Sequence, residues 1–251
     1  MTTSGTAEPM GLIDLALRPG DRAWAQGKVV QVGDRLGLVC LEDREFITPG
    51  GDRNLSSMVL LEGTGSDALL GHLGRRVRVS GTWTGTALTG PRVGTEVQVP
   101  RVFEPRRPLG IGPGRPPVRR SPVPAVQDLW DSGALLWLLE RHTSTGIRVD
   151  AVTDDVPTVR RALLPLYGDG LVVTESHWPA RVLESVFTAV RSGPDRTLRS
   201  VGQYIGDDLQ VRVRATLLYL HPAVADALVS LPQDAFEIDT LVEPEGTRLP
   251  T

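Results

Sequence analysis

Residues 57–83 read SMVLLEGTGSDALLGHLGRRVRVSGTW, and the architecture of the front of the chain turns on them. Ser57–Glu62 is short and apolar, as a strand with both faces in contact would be. Gly63-Thr64-Gly65 then breaks it. Ser66 stands where a helix needs an N-cap, and Gly74 where it needs a left-handed residue after its end, so the spacing predicts a short helix over 67–73. From Arg75 to Trp83 the period is two. Val77 and Val79 take one face and Arg76 and Arg78 the other, which predicts a strand. Upstream, Ala23–Val32 and Arg35–Glu42 alternate in the same way around a Gly33-Asp34 turn. Downstream, Thr84-Gly85-Thr86 turns the chain into a fifth strand region, Ala87–Val99, broken near Gly90-Pro91.

The resulting order is strand, strand, strand, helix, strand, strand. It resembles the OB-fold, a small five-stranded barrel whose helix lies between its third and fourth strands. The resemblance rests on element order and turn chemistry and covers roughly residues 20–100. It implies that Trp24 and Trp83 fill the barrel. OB-folds that hold single-stranded nucleic acid combine a basic groove with stacking aromatics. Here the aromatics of that stretch are Trp24, Phe46 and Trp83, and residues 1–100 carry ten cationic against eleven acidic side chains. The basic residues available to such a role are Arg75, Arg76 and Arg78.

Pro100–Pro124 reads PRVFEPRRPLGIGPGRPPVRRSPVP. Proline and glycine at this density exclude both helix and strand and favour extended, semi-rigid chain. Residues 101–120 hold six arginines against one glutamate, whereas 121–251 hold eleven cationic against eighteen acidic residues. Arg106 and Arg107 in this basic linker are candidate contacts to an anion, with nucleic acid as the weaker partner class.

The rear of the chain mixes the two periods. Trp130–His142, with ALLWLLERH at its centre, is expected to be a buried helix. Ile147–Val152 is a strand, Asp155 caps a helix to Tyr167, Leu171–Glu175 is a strand, and Pro179 opens a helix to Val190. Leu198–Ile205 and Leu209–Leu220 form a hairpin around Gly206-Asp207-Asp208, Pro222 opens a helix to Leu231, and Phe236–Val242 is the last strand. Antiparallel pairing plus helices predicts an α+β sandwich of ferredoxin-like character. The expected organisation is therefore two domains: a flexible N-terminus over 1–19, an all-β OB-like barrel over 20–99, a linker over 100–124 and an α+β domain over 125–251. On the hairpin, Arg199, Gln203, Arg212 and Arg214 are expected to share an open sheet face able to meet an anionic strand or a partner.

The chemistry-bearing residues are sparse. Glu175 and His177 are two apart with Ser176 between them, so period two points them the same way, as an acid–base pair would need. Their plainer role is to start the Pro179 helix, since the Gly-x-Ser-x-Gly of a nucleophile elbow is absent. Asp154-Asp155 and Asp207-Asp208 suit a helix start and a turn. Gly63-Thr64-Gly65 and Gly110-Ile111-Gly112-Pro113-Gly114 lack the Lys-Ser/Thr of a phosphate loop. One cysteine, Cys40, excludes an internal disulfide and a thiolate-rich metal site. The histidines have no zinc spacing, so neither metal nor cofactor is expected.

With 251 residues, 40% apolar composition and a net charge of −3, whole-molecule attraction to nucleic acid or anionic membrane is not expected. The first ten residues lack the cationic start of a signal peptide, and no apolar run is long enough to span a bilayer. A cytoplasmic, non-enzymatic binding or scaffolding protein, with another protein as its partner, is the expectation. The alternatives are an OB-type single-strand binder and a hydrolase centred on Glu175 and His177.

Overall fold

A computed structural model describes residues 11–40, 58–94, 123–143, 146–194 and 197–246. The chain is a β-rich α+β protein. Five strands come first: β1 (Arg22–Val32), β2 (Arg35–Val39), β3 (Met58–Glu62), β4 (Arg76–Trp83) and β5 (Ala87–Val93). They hydrogen-bond in the order β1-β2-β3-β5-β4, and β4 pairs back onto β1, so the sheet closes on itself. The β3–β5 contact is parallel and the others are antiparallel. A 3-10 helix over Ser66–His72 joins β3 to β4. Its N-cap is Gly65, at φ 101°, one residue earlier than the expected Ser66. Closure needs strands to approach tightly where they bend. A Cβ on Gly27 would sit 2.6 Å from the Val39 carbonyl oxygen, and one on Gly81 would sit 2.8 Å from that of Thr89, so glycine is required at both.

The interior follows the period of two. Along β4, Val77, Val79 and Trp83 are fully buried while Arg76, Arg78 and Ser80 are half-exposed. Leu69 of the 3-10 helix reaches the same core. Trp24 does not. It lies on the even, outward row of β1, whereas Ala23, Ala25 and Val29 form the inward row. The expectation that both tryptophans fill the barrel thus holds for Trp83 alone.

The rear half follows as α1 (Pro124–Asp131), β6 (Leu135–Thr143), β7 (Gly146–Thr153), α2 (Val156–Tyr167) and β8 (Leu171–Glu175), then α3 (Ala180–Arg191), β9 (Leu198–Ile205), β10 (Val211–Leu217), α4 (Pro222–Val229) and β11 (Phe236–Thr240). These strands do not share one sheet, as a ferredoxin-like sandwich would require. They form two three-stranded sheets, ordered β6-β7-β8 and β9-β10-β11. In each, a hairpin is followed by a helix and a third strand parallel to the second. The expected helix over 130–142 was the source of the difference. Helix α1 ends at Asp131, the Ser132 hydroxyl donates to the Leu129 carbonyl, and Gly133 turns the chain at φ 75°. Beyond it, Leu135 packs against α1 and α2 while Leu136 and Trp137 pack on the following unit. Both faces of β6 are buried, so no alternation marks it as a strand.

The two halves are one αββαβ unit in two copies. Ile147-Arg-Val-Asp-Ala151 of β7 corresponds to Val211-Arg-Val-Arg-Ala215 of β10. The helix residues Pro157, Val159 and Leu163 correspond to Pro222, Val224 and Leu228, with the valines and leucines buried in both. A 3-10 turn, Gly168–Gly170 or Gln233–Ala235, precedes each third strand. Both first helices end on Ser-Gly, with the serine hydroxyl donating three residues back.

The second unit is locked to the barrel through both ends of the chain. A short strand β12 (Val242–Pro244) pairs with Ala23–Ala25 of β1. Leu17, fully buried in the barrel core, donates its amide to the Leu220 carbonyl at 2.9 Å, and the 3-10 turn Leu12–Leu15 packs on α4. Residues 11–19, expected as flexible, are thus built into the joint. Leu218 and Tyr219 complete the barrel core, with the Tyr219 ring 5.0 Å from that of Trp83.

Candidate anion-binding face of the barrel

The β1–β4 register sets the outer face of the barrel. Lys28 lies opposite Arg76, Gln26 opposite Arg78, and Trp24 opposite Ser80. Period two on both strands therefore gathers Lys28, Arg76 and Arg78 on one surface. The Arg78 guanidinium lies 4.2 Å from the centroid of the Trp24 ring, a cation–π contact. Trp24 is 8% exposed, so its face serves Arg78 and is not offered to a stacking base. Arg75 stands just before β4, where its backbone joins the barrel: its amide donates to His72 and its carbonyl accepts from Val29. Lys28 and Gln26 were missed from sequence because their place beside Arg76 and Arg78 depends on cross-strand register. Arg106 and Arg107 lie outside the described residues.

Of the arginines singled out on the β9–β10 hairpin, Arg212 and Arg214 are held by acids of their own unit. Arg212 grips Asp208 through two hydrogen bonds of 2.8 and 2.6 Å and donates a third to the Asp234 carbonyl. Arg214 donates to Asp239 at 2.9 Å and lies 3.8 Å from Glu237. Burial first, and then its hydrogen bond to Glu237, raises the pKa of Tyr204 on the same face. Gln203 pairs with Val213, so it lies on the opposite, helix-covered face from Arg212 and Arg214. Arg199 falls at a bulge in the β9–β10 register. Its half-buried guanidinium comes near Cys40 at the barrel, where burial pushes the thiol up to about 12. The four expected partners of one open face thus do not converge.

The Arg212 hydrogen bonds hold the Asp208 carboxyl down from its ordinary 3.8 to about 2. A depressed carboxyl stabilises the fold above its ordinary value and loses that contribution as pH falls through the folded value. The urea midpoint of wild type should therefore exceed that of Asp208→Asn at pH 5, and the gap should narrow toward pH 2. A gap independent of pH would remove the ion pair as its cause.

Glu175 and His177 form a seam. The Gln210 side chain accepts from the His177 amide at 2.6 Å and donates to the Glu175 carbonyl at 3.4 Å. The Ser176 hydroxyl donates to the Trp178 carbonyl. Asp154 accepts from the Ala180 amide and so caps α3. The serine proton is committed to backbone, and the ring of His177 packs edge-on to Trp178 at 4.6 Å. These groups join the first αββαβ unit to the second.

A cavity of about 350 Å³ opens between the β1–β2 turn, β3 and the 3-10 helix. Asp34, Glu62 and Asp67 line it with Arg35, which suits it poorly to an anion. Among the described residues no group of three or more His, Cys, Asp or Glu side chains converges as a metal site, and no helix is long and apolar enough to cross a membrane. Compared with known proteins, the chain matches no family model and no curated protein.

Proposed function

We propose that the chain is a non-enzymatic binding or scaffolding protein, made of an OB-type barrel and two αββαβ units, whose partner is another protein. The observation that carries this reading is the double lock: β12 and residues 11–17 tie the second unit to the barrel from both ends of the chain. Such a joint, together with the Gln210 seam between the first unit and the second, holds three bodies in fixed relation, which is what a platform for a partner needs. The ring order β1-β2-β3-β5-β4, with a helix between β3 and β4, supports the OB type. The test is to purify the tagged chain with its bound protein, reconstitute that pair from pure components, and weigh it by light scattering. A stoichiometric complex that survives high salt is expected. Turnover of a generic ester, peptide or phosphate substrate that His177→Ala abolishes would overturn the reading.

A second reading, single-stranded nucleic acid, is favoured by the Lys28, Arg76 and Arg78 row. Three phosphate contacts would give a slope of log K against log salt of about −2 on single strands. Fluorescence anisotropy with an oligo-dT or oligo-U strand measures it. Lys28→Gln and Arg78→Gln should each reduce the slope by about 0.7. Absence of binding at low salt removes this reading and leaves the first standing.

A further inference from the structure

Strand β8 is an edge: it pairs with β7 alone, in parallel and without a bulge. The Ser176 amide donates to the Thr153 carbonyl, and this bond fixes which groups face which way. In a parallel pair, alternate residues of a strand turn both N–H and C=O to the neighbour. Val172, Thr174 and Ser176 therefore face β7, while Leu171, Val173 and Glu175 face outward. Two of the outward groups are used inside the chain. The Leu171 amide donates to the Gly168 carbonyl, and the Glu175 carbonyl accepts from the Gln210 side chain. The Leu171 carbonyl, both backbone groups of Val173 and the Glu175 amide meet no partner among the described residues. None of the usual guards of an edge (lysine, proline or a bulge) is present in the LVVTE of this strand.

We propose that β8 pairs antiparallel with β8 of a second copy of this chain, about a two-fold axis at Val173. The open groups are self-complementary in that register. Val173 exchanges both of its backbone groups with the partner subunit's Val173, and each Glu175 amide donates to the Leu171 carbonyl across the seam. The two groups left over in such a pairing, the Leu171 amide and the Glu175 carbonyl, are the two already bonded within the chain. Val172 then stands opposite the partner subunit's Thr174, and two three-stranded sheets become one. The apolar surface agrees. Eight large apolar side chains are exposed among the described residues, and four of them, Ile147, Leu164, Leu166 and Val172, lie on β7, α2 and β8. Helix α2 packs over β8, Val159 and Leu163 sharing a core with Leu171 and Val173, so pairing about Val173 places both α2 helices on one side of the seam. An isologous contact of this kind closes at two subunits. It goes beyond the binding role above and involves neither the β1–β4 face nor the double lock, so its failure leaves that role standing.

Sedimentation velocity of the full chain across micromolar concentrations should show a monomer–dimer equilibrium. Glu175→Pro deletes an outward N–H at an exposed residue, where an edge strand tolerates proline. It should weaken the dimer at least tenfold and, at a dilution where both proteins are monomeric, leave the urea midpoint near that of wild type. Thr174→Pro deletes instead the N–H that faces β7 and should lower the midpoint far more. Val172→Cys combined with Thr174→Cys should give a covalent dimer on mild oxidation, since the Cα atoms of such a cross-strand pair lie about 4.5 Å apart, within reach of a disulfide. Wild type, with Cys40 alone, should not. A chain that stays monomeric throughout, a dimer that Glu175→Pro leaves unchanged, equal midpoints for the two proline variants, or a cross-link to a co-purified protein in place of a second copy would each overturn the proposal.

Discussion

Replacing Trp83 by alanine should cost about 3–5 kcal/mol, the usual range for deleting a buried tryptophan. Trp83 is the largest of the fully buried side chains and sits inward at the end of β4, in the barrel core. Its ring lies 5.0 Å from that of Tyr219, tilted by 58°, and Tyr219 belongs to the second αββαβ unit. The substitution therefore opens a cavity and removes a contact that couples barrel to unit. For a chain of this size the midpoint should fall by roughly 6–20 °C. Tryptophan and tyrosine signals, followed separately through urea unfolding, should no longer coincide. Trp83→Phe keeps most of the ring area and should lose less. A variant that unfolds in one transition with less than ~1 kcal/mol lost, far below the range for such a deletion, would show that this ring does not hold the joint.

The second large effect centres on Asp150, which is 2% exposed. Its Oδ1 accepts from Arg148 Nε at 3.0 Å, and its Oδ2 lies 3.0 Å from Arg141 Nη2. The β6–β7 register places Arg141 directly opposite Arg148, a like-charge pair that the carboxylate between them makes tolerable. The two sides of this triad are not equivalent. The arginine side chains are 32% and 49% exposed and can turn to water. The carboxylate cannot. Arg141→Gln with Arg148→Gln should therefore cost about 3–5 kcal/mol, because a buried charge loses its partners. Asp150→Asn should cost about 1.5–3 kcal/mol, the scale of lost charged hydrogen bonds. Urea unfolding at neutral pH separates them, and equal losses would contradict this account. In the second unit the position of Asp150 is taken by Arg214 with Asp239 and Glu237 beside it, the same device with its charges reversed.

Local pattern sufficed wherever one face of an element is wet. The alternation of Arg76–Trp83, the turn at Gly33-Asp34 and the Asp155 cap, whose carboxylate accepts from the Thr158 amide, were all legible from residue order. It failed at β6, where burial on both sides erased the period. The repeat was also hard to see, because the copies share few identities: IRVDA and VRVRA, and two Ser-Gly helix ends. Of the candidate site, Arg76 and Arg78 were visible as one face of a strand. Their neighbour Lys28 was not, since forty-eight positions separate it from Arg76 and only strand pairing brings them level.

By itself, then, the chain's residue order determined the front strands, their turns, most of the helices and the outward row of β4. Those depend on interactions a few residues long: steric preferences at glycine and proline, capping hydrogen bonds, and the contrast between a wet and a dry face. The tertiary structure alone decided that the barrel closes, that the rear strands divide into two sheets, that Trp24 lies outside and Trp83 inside, and that Arg214 is neutralised by Asp239 and Glu237. Each of these is a pairing between residues distant in the chain. Its free energy comes from register and buried contact, which no local pattern encodes.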